Sequence, residues 1–169
     1  MNESMGYHAS KLITEEGKFD LIHAHDWLVG DAAIALKHNF TIPLVATIHA
    51  TEYGRYNGLH NDTQRYIASK EGMLAYNAWR VIVCTAYMRH EIHRFLGTPW
   101  NKIDVVYNGI RPEKKHRHPD FDYWGFRRRF AADNERIVYY VGRMTYEKGL
   151  SVLLRAAPKV LWEMGGFTK

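Results

Sequence analysis

The chain has 169 residues, of which 46% are hydrophobic and 24% are charged. This composition is typical of a globular protein with a real core and argues against an intrinsically disordered chain. Basic residues outnumber acidic ones by 23 to 18, a mild excess that suits an anionic small molecule as well as a nucleic acid. The length allows one ordinary domain or pieces of two.

The only cysteine, Cys84, excludes an intramolecular disulfide framework and favours a reducing compartment. We predict that Cys84 itself is a buried strand residue. The first ten residues lack the apolar region of a signal peptide, and no apolar run is long enough to span a membrane. We therefore expect a soluble, cytoplasmic protein.

Strand and helix patterns alternate through the first 110 residues. We predict strands at residues 19–24, 44–48, 80–85 and 103–107, and helices at residues 3–16, 27–37, 61–77 and 86–95. Asp26 is expected to cap the second helix, and residues 47–59 are predicted to form a long functional loop. This alternation indicates an α/β fold with a doubly wound parallel sheet and helices on both faces.

Composition changes at residues 111–119, which show no apolar periodicity and contain two prolines. We predict that residues 111–120 connect two domains, with residues 1–110 on one side and residues 121–169 on the other. The second domain is predicted to contain a helix at residues 121–130, a strand at residues 137–141 and a helix at residues 151–164, kinked or interrupted at Pro158. One strand and one helix bury too little surface for a stable domain, so we expect a piece of a larger protein.

Two cations, Arg143 and Lys148, lie on the short connection that follows the predicted strand at residues 137–141. The neighbouring glycines allow a close backbone approach, and the N-terminus of the next helix favours an anion. The two cations could therefore close on a diphosphate, and Mg²⁺ would then not be required. The alternative is a pair of solvated surface cations beside a turn. A P-loop is excluded because Lys148 precedes its glycine.

Histidines occur where two of the predicted strands end. The sequence HAHDW at residues 23–27 places His23 and His25 on one strand face with Asp26 after them, at the sheet edge where open α/β folds bind ligands. Some zinc hydrolases share a His-x-His-Asp pattern but continue with a second Asp-His pair, so no metal is predicted. His49 could hydrogen-bond a hydroxylated ligand or simply satisfy a carbonyl group.

Four motifs occur together along the chain. They are HAHDW at residues 23–27, TIHATEYGR at residues 47–55 with GLHN just after it, VVYNGI at residues 105–110 and VGRMTYEKGL at residues 141–150. In order and approximate spacing they resemble the motifs of the family-4 glycosyltransferases, and most closely those of the glycogen and starch synthase branch. The resemblance spans residues 19–161.

The resemblance implies a GT-B fold, in which two Rossmann-like domains face each other across a cleft. It also implies retaining transfer of a glucosyl unit from a nucleotide sugar, UDP- or ADP-glucose, to an α-glucan acceptor, with no metal or other cofactor required. The family's first strand and the end of its second domain have no counterpart here. We therefore expect the 169-residue chain to be inactive by itself.

The resemblance also assigns roles to particular residues. Arg143 and Lys148 would bind the donor diphosphate and stabilise it as it leaves. Asp26 would lie near the acceptor or donor hydroxyls, and His49 would contact the donor glucosyl unit. The implied catalytic residues are thus Asp26, His49, Arg143 and Lys148, and the implied sugar- and acceptor-binding residues are His25, Asp26, Trp27 and His49.

Two other functions stay open on the sequence. One is a family-4 enzyme that acts on a lipid, sucrose or surface-polysaccharide acceptor. The other is a non-catalytic binding or interaction module. Nucleic acid is not a predicted partner, because the basic connector has no aromatic stacking platform on strands beside it.

Overall fold

A computed structural model describes residues 2–17, 19–112 and 118–163 of the chain. The chain divides into two compact units, Met1–Gly109 and Ile110–Lys169. Part of the predicted connector, residues 113–117, lies outside the described residues, and so does Met164 at the end of the last predicted helix. The connector at residues 111–120 therefore stays a prediction.

The first unit alternates helices and strands in chain order. Its strands are β1 (Ile22–His25), β2 (Leu44–Ile48), β3 (Arg80–Val83) and β4 (Ile103–Val105). Its α-helices are α1 (Asn2–Glu16), α2 (Gly30–Phe40), α3 (Glu52–Tyr56), α4 (Asp62–Asn77) and α5 (Ala86–Leu96). The predicted strands and helices are all present, shifted by one to three residues at most ends.

The four strands form one sheet in the order β1-β2-β3-β4, and every neighbouring pair is parallel. The predicted parallel α/β sheet is thus confirmed. The register aligns Ala24 with Ala46, Ala46 with Val81, and Val81 with Ile103. Because strand side chains alternate between faces, these residues share one face of the sheet, and each is at most 2% exposed.

Helices α2, α4 and α5 cover that face of the sheet. Their buried residues Ala33, Leu74 and Ile92 belong to the same hydrophobic cluster as the buried strand residues. Right-handed crossovers through a sheet of this strand order place successive helices on one side. The other face, where helices were also expected, carries polar side chains among the described residues, including an Arg80–Asp104 ion pair.

Side-chain caps explain where the longer helices begin. The Asn61 side chain accepts a hydrogen bond from the backbone N–H of Gln64 at the start of α4. The Thr85 hydroxyl accepts one from the N–H of Met88 at the start of α5. Each of these bonds satisfies a donor that a helix N-terminus leaves unpaired.

Two local predictions for the first unit were wrong. The helix predicted at residues 27–37 is divided into a 3₁₀ turn, Trp27–Val29, and α2, which begins at Gly30. The segment predicted as a long loop, residues 47–59, contains the end of β2 and the short helix α3. Thr51 begins α3 by accepting a hydrogen bond from the N–H of Gly54. The glycine and asparagine residues of this segment predicted a loop, and composition alone does not reveal that Thr51 can cap a helix.

The second unit contains the helices α6 (Tyr123–Arg127) and α7 (Leu150–Glu163), with a 3₁₀ turn at Tyr146–Lys148. The strand predicted at residues 137–141 is absent, and Val138, Tyr139 and Val141 are each more than three-quarters exposed. A strand needs a hydrogen-bonded partner, and the described residues of this unit contain no other strand. Pro158 lies inside α7, so the helix is not interrupted there.

None of the helices described here is both long and apolar enough to span a membrane.

Candidate active site

Polar side chains collect where the parallel strands end. Asp26 follows β1 directly, His49 follows β2 and Cys84 follows β3, while Asn108 lies three residues beyond β4. The carboxyl ends of parallel strands meet at one edge of a sheet, and open α/β folds bind their ligands at this edge. The sheet therefore brings together residues that are up to 82 positions apart in the sequence.

Asp26 and His49 are joined across the ends of β1 and β2. The N–H of Asp26 donates to the carbonyl of Thr47 at 2.9 Å, and Asp26 Oδ1 accepts from the N–H of His49 at 2.8 Å. The predicted capping role of Asp26 is wrong, because its side chain makes no cap hydrogen bond. The carboxylate instead binds the backbone of the neighbouring strand end.

The backbone of Asp26 adopts an uncommon conformation, with φ 60° and ψ 174°. A non-glycine residue in this region is strained and persists only when its surroundings hold it there. Two hydrogen bonds, one at the backbone N–H and one at the carboxylate, do so here. Strain of this kind is concentrated at functional sites, which supports a functional role for Asp26.

Three histidine rings form a row beside Asp26. The His23 and His25 rings lie with centroids 4.4 Å apart, and the His25 and His49 rings are stacked at 5.3 Å with an interplanar angle of 12°. His25 Nδ1 is hydrogen-bonded to His49 Nε2 at 3.0 Å. The predicted sharing of one strand face by His23 and His25 is confirmed, and the third ring comes from the next strand.

His23, the first histidine of this row, is held in its neutral form. Burial lowers the pKa of His23 below its ordinary value of 6.5, and the neighbouring His25 and His49 lower it further. His23 Nε2 is also hydrogen-bonded to the Thr47 hydroxyl at 2.7 Å. His23 is therefore neutral at physiological pH, and a neutral imidazole suits a hydroxylated ligand.

Cys84 and Asn108 extend the row to β3 and β4. Cys84 Sγ lies 3.5 Å from His49 Nδ1 and 3.5 Å from Asn108 Oδ1. Cys84 is partly exposed and follows β3, so its prediction as a buried strand residue was wrong. The sequence reasoning missed both side chains as site residues, although each directly follows a predicted strand or lies at its end.

Both ring nitrogens of His49 are thus engaged, one by His25 and one by Cys84. If the thiol donates to Asn108, the His49 Nδ1–H donates to sulfur and the His25 Nδ1–H donates to His49 Nε2. In the part of the chain that the structure describes, His25 Nε2 has no hydrogen-bond partner. In this arrangement His25 keeps an unprotonated nitrogen that can accept a hydrogen bond from a ligand hydroxyl.

Trp27 comes directly after Asp26 and opens the 3₁₀ turn that leads into α2. Its side chain is partly buried. Over residues 2–17, 19–112 and 118–163, no three His, Cys, Asp or Glu side chains are arranged to hold a metal ion. The first unit thus brings together four of the predicted site residues, namely His25, Asp26, Trp27 and His49.

The other two predicted residues, Arg143 and Lys148, lie in the second unit. Arg143 Nη2 forms an ion pair with Glu147 Oε1 at 3.1 Å, and the Arg143 carbonyl accepts from the Tyr140 hydroxyl at 2.9 Å. Lys148 ends the 3₁₀ turn, and Gly149 then has a φ of 68° before α7 begins. Both cations are exposed, and Arg143 already has an anionic partner.

Glu147 is held in its charged form. Hydrogen bonds from the Thr145 side chain and from its own backbone N–H lower its pKa, and the charges of Arg143 and Lys148 lower it further. The charges of Arg143 and Lys148 thus both act on an anion at the position of the Glu147 carboxylate. An incoming diphosphate would compete with Glu147 for Arg143.

Comparison with known proteins identifies the family. The model of Glycosyltransferase Family 4 matches residues 4–114, about two-thirds of the chain. The chain belongs to glycosyltransferase family 4. The matched region contains the whole parallel sheet and the row of side chains at its carboxyl edge. The family resemblance of the motifs is thereby confirmed, and the parallel α/β sheet agrees with the GT-B class of folds.

The proteins that are similar to this chain have different names. An uncharacterized glycosyltransferase of Methanocaldococcus jannaschii is 37% identical over 146 residues, which are 85% of this chain and 37% of that protein. The glycogen synthase of Mycobacterium tuberculosis is 36% identical over 92% of this chain and 36% of its own length. A D-inositol 3-phosphate glycosyltransferase of Kribbella flavida is 28% identical over 90% of this chain and 36% of its own length. The chain therefore spans little more than a third of these relatives.

Proposed function

We propose that this chain supplies the acceptor side, and the beginning of the donor side, of a retaining hexosyltransferase. The reaction would move a glucosyl unit from UDP- or ADP-glucose to an α-glucan, and the similarity to a protein named glycogen synthase supports this choice of acceptor. The observation that carries the proposal is the meeting of Asp26, His25 and His49 at the carboxyl edge of the sheet. A carboxylate and two imidazoles at one edge can read several hydroxyl groups at once.

Each side chain of the first unit would have a separate task. Asp26 would accept hydrogen bonds from sugar hydroxyls with Oδ2, because its Oδ1 is occupied by the His49 N–H. His25 would accept a hydrogen bond from a sugar hydroxyl at Nε2, because its Nδ1 is bonded to His49. His49, stacked on His25, would contact the glucosyl unit with its exposed ring and Trp27 would border the site. Such fixed groups lower the barrier mainly by orienting the two sugars.

Arg143 and Lys148 would bind the diphosphate of the nucleotide sugar. Negative charge grows on this group as the glycosidic bond breaks, and two nearby cations stabilise that charge. We propose that no metal ion and no other cofactor is needed for this step, since the cations themselves neutralise the leaving group. The partners of the protein would then be a nucleotide sugar and a glycan acceptor.

Other acceptors define the main alternative. The similarity to an inositol phosphate glycosyltransferase favours a family-4 enzyme with a different acceptor, which could also be a lipid, sucrose or a surface polysaccharide. A non-catalytic binding module is the second alternative. Cys84 as the only cysteine supports a reducing compartment, and we propose the cytoplasm.

Acceptor binding by the 169-residue chain tests the proposal most directly. We expect maltohexaose to shift the NMR signals of His25 and His49 and not those of His8, which is exposed on α1. The His49→Gln variant should weaken this binding, whereas the control variant His8→Gln should not. Binding of inositol phosphate at the same signals, without any response to maltohexaose, would support the alternative acceptor.

Transfer requires a protein that joins these residues to a complete nucleotide-binding domain. We expect such a protein to incorporate labelled glucose from UDP- or ADP-glucose into a glycogen primer, and the 169-residue chain not to do so. Acceptor binding without transfer by the longer protein would favour the binding module. Robust incorporation by the chain alone would place the active site wholly within these residues.

A further inference from the structure

Two buried glutamates hold the segment that follows His49. Glu71 on α4 accepts a hydrogen bond at Oε1 from the backbone N–H of Glu52, at 2.8 Å. Glu91 on α5 accepts one at Oε1 from the Thr51 hydroxyl, at 2.5 Å. Glu71 is 3% exposed and Glu91 is 6% exposed, so both anchors lie beneath the surface that carries the site.

The anchored segment could not hold its conformation alone. Helix α3 has five residues, and a helix this short is not stable without tertiary contacts. Its first turn approaches Glu91 so closely that a Cβ atom on Gly54 would lie 2.6 Å from Glu91 Oε1. The position of residues 50–54 is therefore set by α4 and α5, the two helices that lie under them.

Glu71 differs from Glu91 in its surroundings. Glu71 Oε2 is buried and, within the described residues, has no hydrogen-bond partner. Burial raises the pKa of Glu71 to about 7. The charges of Glu52 and Asp26 also raise this pKa, whereas the N–H of Glu52 and the charge of Arg55 lower it. Asp31 of α2 is paired with Lys70 of α4 at 2.9 Å.

Glu71 thus acts on both sides of the Asp26–His49 contact. On one side it binds the backbone of Glu52, three residues after His49, and on the other its charge is repelled by that of Asp26. We propose that Glu71 is a positioning residue of the candidate site: its carboxylate holds residues 50–54 and thereby keeps the backbone of His49 against Asp26. Its effect on the site passes through His49, and its consequence for sugar binding rests on the function proposed above.

The protonation state of Glu71 changes the strength of this anchor. A carboxylate accepts a hydrogen bond from the Glu52 N–H more strongly than a carboxylic acid does. As the pH falls through about 7, the value of the Glu71 pKa, the bond weakens and the segment after His49 loosens. We therefore expect the site to be better ordered at pH values above the Glu71 pKa of about 7.

The amide proton of Glu52 reports this bond directly. In the ¹⁵N-labelled 169-residue chain, we expect its chemical shift to change with a midpoint close to the Glu71 pKa of about 7. The Glu71→Gln variant keeps an acceptor oxygen but cannot titrate, so the midpoint should disappear. Glu91→Gln is the matched control, because Glu91 binds the same segment through Thr51, and the midpoint should persist in it.

The positions of His49 and of the sugar form the second readout. In Glu71→Ala we expect the His49 amide and ring signals to move and maltohexaose binding to weaken by about 10-fold, with Glu71→Gln close to the native chain. If the native chain does not bind maltohexaose because the proposed acceptor is wrong, the Glu52 and His49 signals still decide the role of Glu71. If Glu71→Ala does not fold, the Glu52 midpoint in the native chain and its loss in Glu71→Gln decide the role of Glu71.

Either of two outcomes would show that Glu71 is not a positioning residue. One is a Glu52 amide that shows no midpoint in the native chain near neutral pH, or the same midpoint in Glu71→Gln. The other is a folded Glu71→Ala variant whose His49 signals match those of the native chain.

Discussion

The edge of the sheet in the first unit and the cation loop in the second unit place their residues by different means. At the sheet edge, strand register and hydrogen bonds fix Asp26 beside His49, and His49 beside His25. In the loop, Arg143 and Lys148 are exposed, and the short stretch of residues 143–148 with one ion pair to Glu147 sets their spacing. A change at the sheet edge should therefore affect stability and site together, whereas a change in the loop should affect only the chemistry.

The largest expected effect belongs to the loop. In a protein that joins this chain to a complete nucleotide-binding domain, Arg143→Ala and Lys148→Ala should each lower kcat/KM by about 10²-fold or more, because each would remove the charge-assisted bond that we propose to the leaving diphosphate. Initial rates with labelled UDP- and ADP-glucose measure the loss. The control is Arg155→Ala, which removes an exposed arginine from α7. Unchanged rates in both loop variants would contradict a diphosphate site.

At the sheet edge, Asp26→Ala should reduce both stability and binding. It removes a charged acceptor from the His49 N–H and leaves alanine in a backbone region that disfavours it. We expect the free energy of unfolding to fall by about 2–3 kcal/mol, measured by urea denaturation. Asp26→Asn keeps an acceptor oxygen and should lose less than half as much. Equal losses in the two variants would show that the His49 contact is not what stabilises this edge.

Two glycines give a matched comparison of packing. Gly54→Ala should destabilise the chain by about 2 kcal/mol, because the new Cβ would meet Glu91 Oε1 at 2.6 Å. Gly72 lies within α4, and a Cβ atom added there would have no contact within 4 Å outside its own helix. Gly72→Ala should therefore stabilise the chain by about 0.5–1 kcal/mol. Thermal unfolding of both variants tests the pair. Effects of the same sign would mean that the α3 segment can move away from Glu91.

Glu71 should make stability depend on pH in a defined direction. Its pKa in the folded chain, about 7, lies above the ordinary value of 4.5, so the native state binds this proton more tightly than the unfolded state does. Its favourable contribution is therefore complete at low pH and is lost as the pH rises through about 7, because the cost of burying the Glu71 charge exceeds the gain from the stronger hydrogen bond that the carboxylate accepts from Glu52. Relative to Glu71→Gln, the native chain should lose about 3 kcal/mol between about pH 4.5 and pH 8. A difference independent of pH would contradict the raised pKa.

The smallest expected effect is that of the ion pair in the loop. Glu147→Gln removes the partner of Arg143, a side chain that is 64% exposed. Such exposed pairs contribute little, so the free energy of unfolding should stay close to that of the native chain. The same variant should bind a nucleoside diphosphate somewhat more tightly, since Arg143 is released, and titration calorimetry measures this. A large loss of stability would mean that the loop is organised more like the sheet edge.

Much of the first unit follows from local sequence patterns. Short β-branched runs alternating with helical segments predict the parallel sheet, and the sheet edge follows from its topology, which is why Asp26 and His49 were predicted at strand ends. The missing strand at residues 137–141 marks the limit of this reasoning. A run of β-branched residues favours the extended backbone conformation, but a strand forms only where another strand provides hydrogen-bond partners.

By itself, then, the sequence determines the alternation of strands and helices, the parallel class of the sheet and the family, because these depend on periodicity and on motifs that are local in the chain. Only the tertiary structure decides the contacts of Cys84 with His49 and of Glu71 with Glu52, which join residues 35 and 19 positions apart. Such contacts depend on strand register and on how helices pack over the sheet. For the same reason the burial that raises the pKa of Glu71 cannot be predicted from the residues around it in the chain.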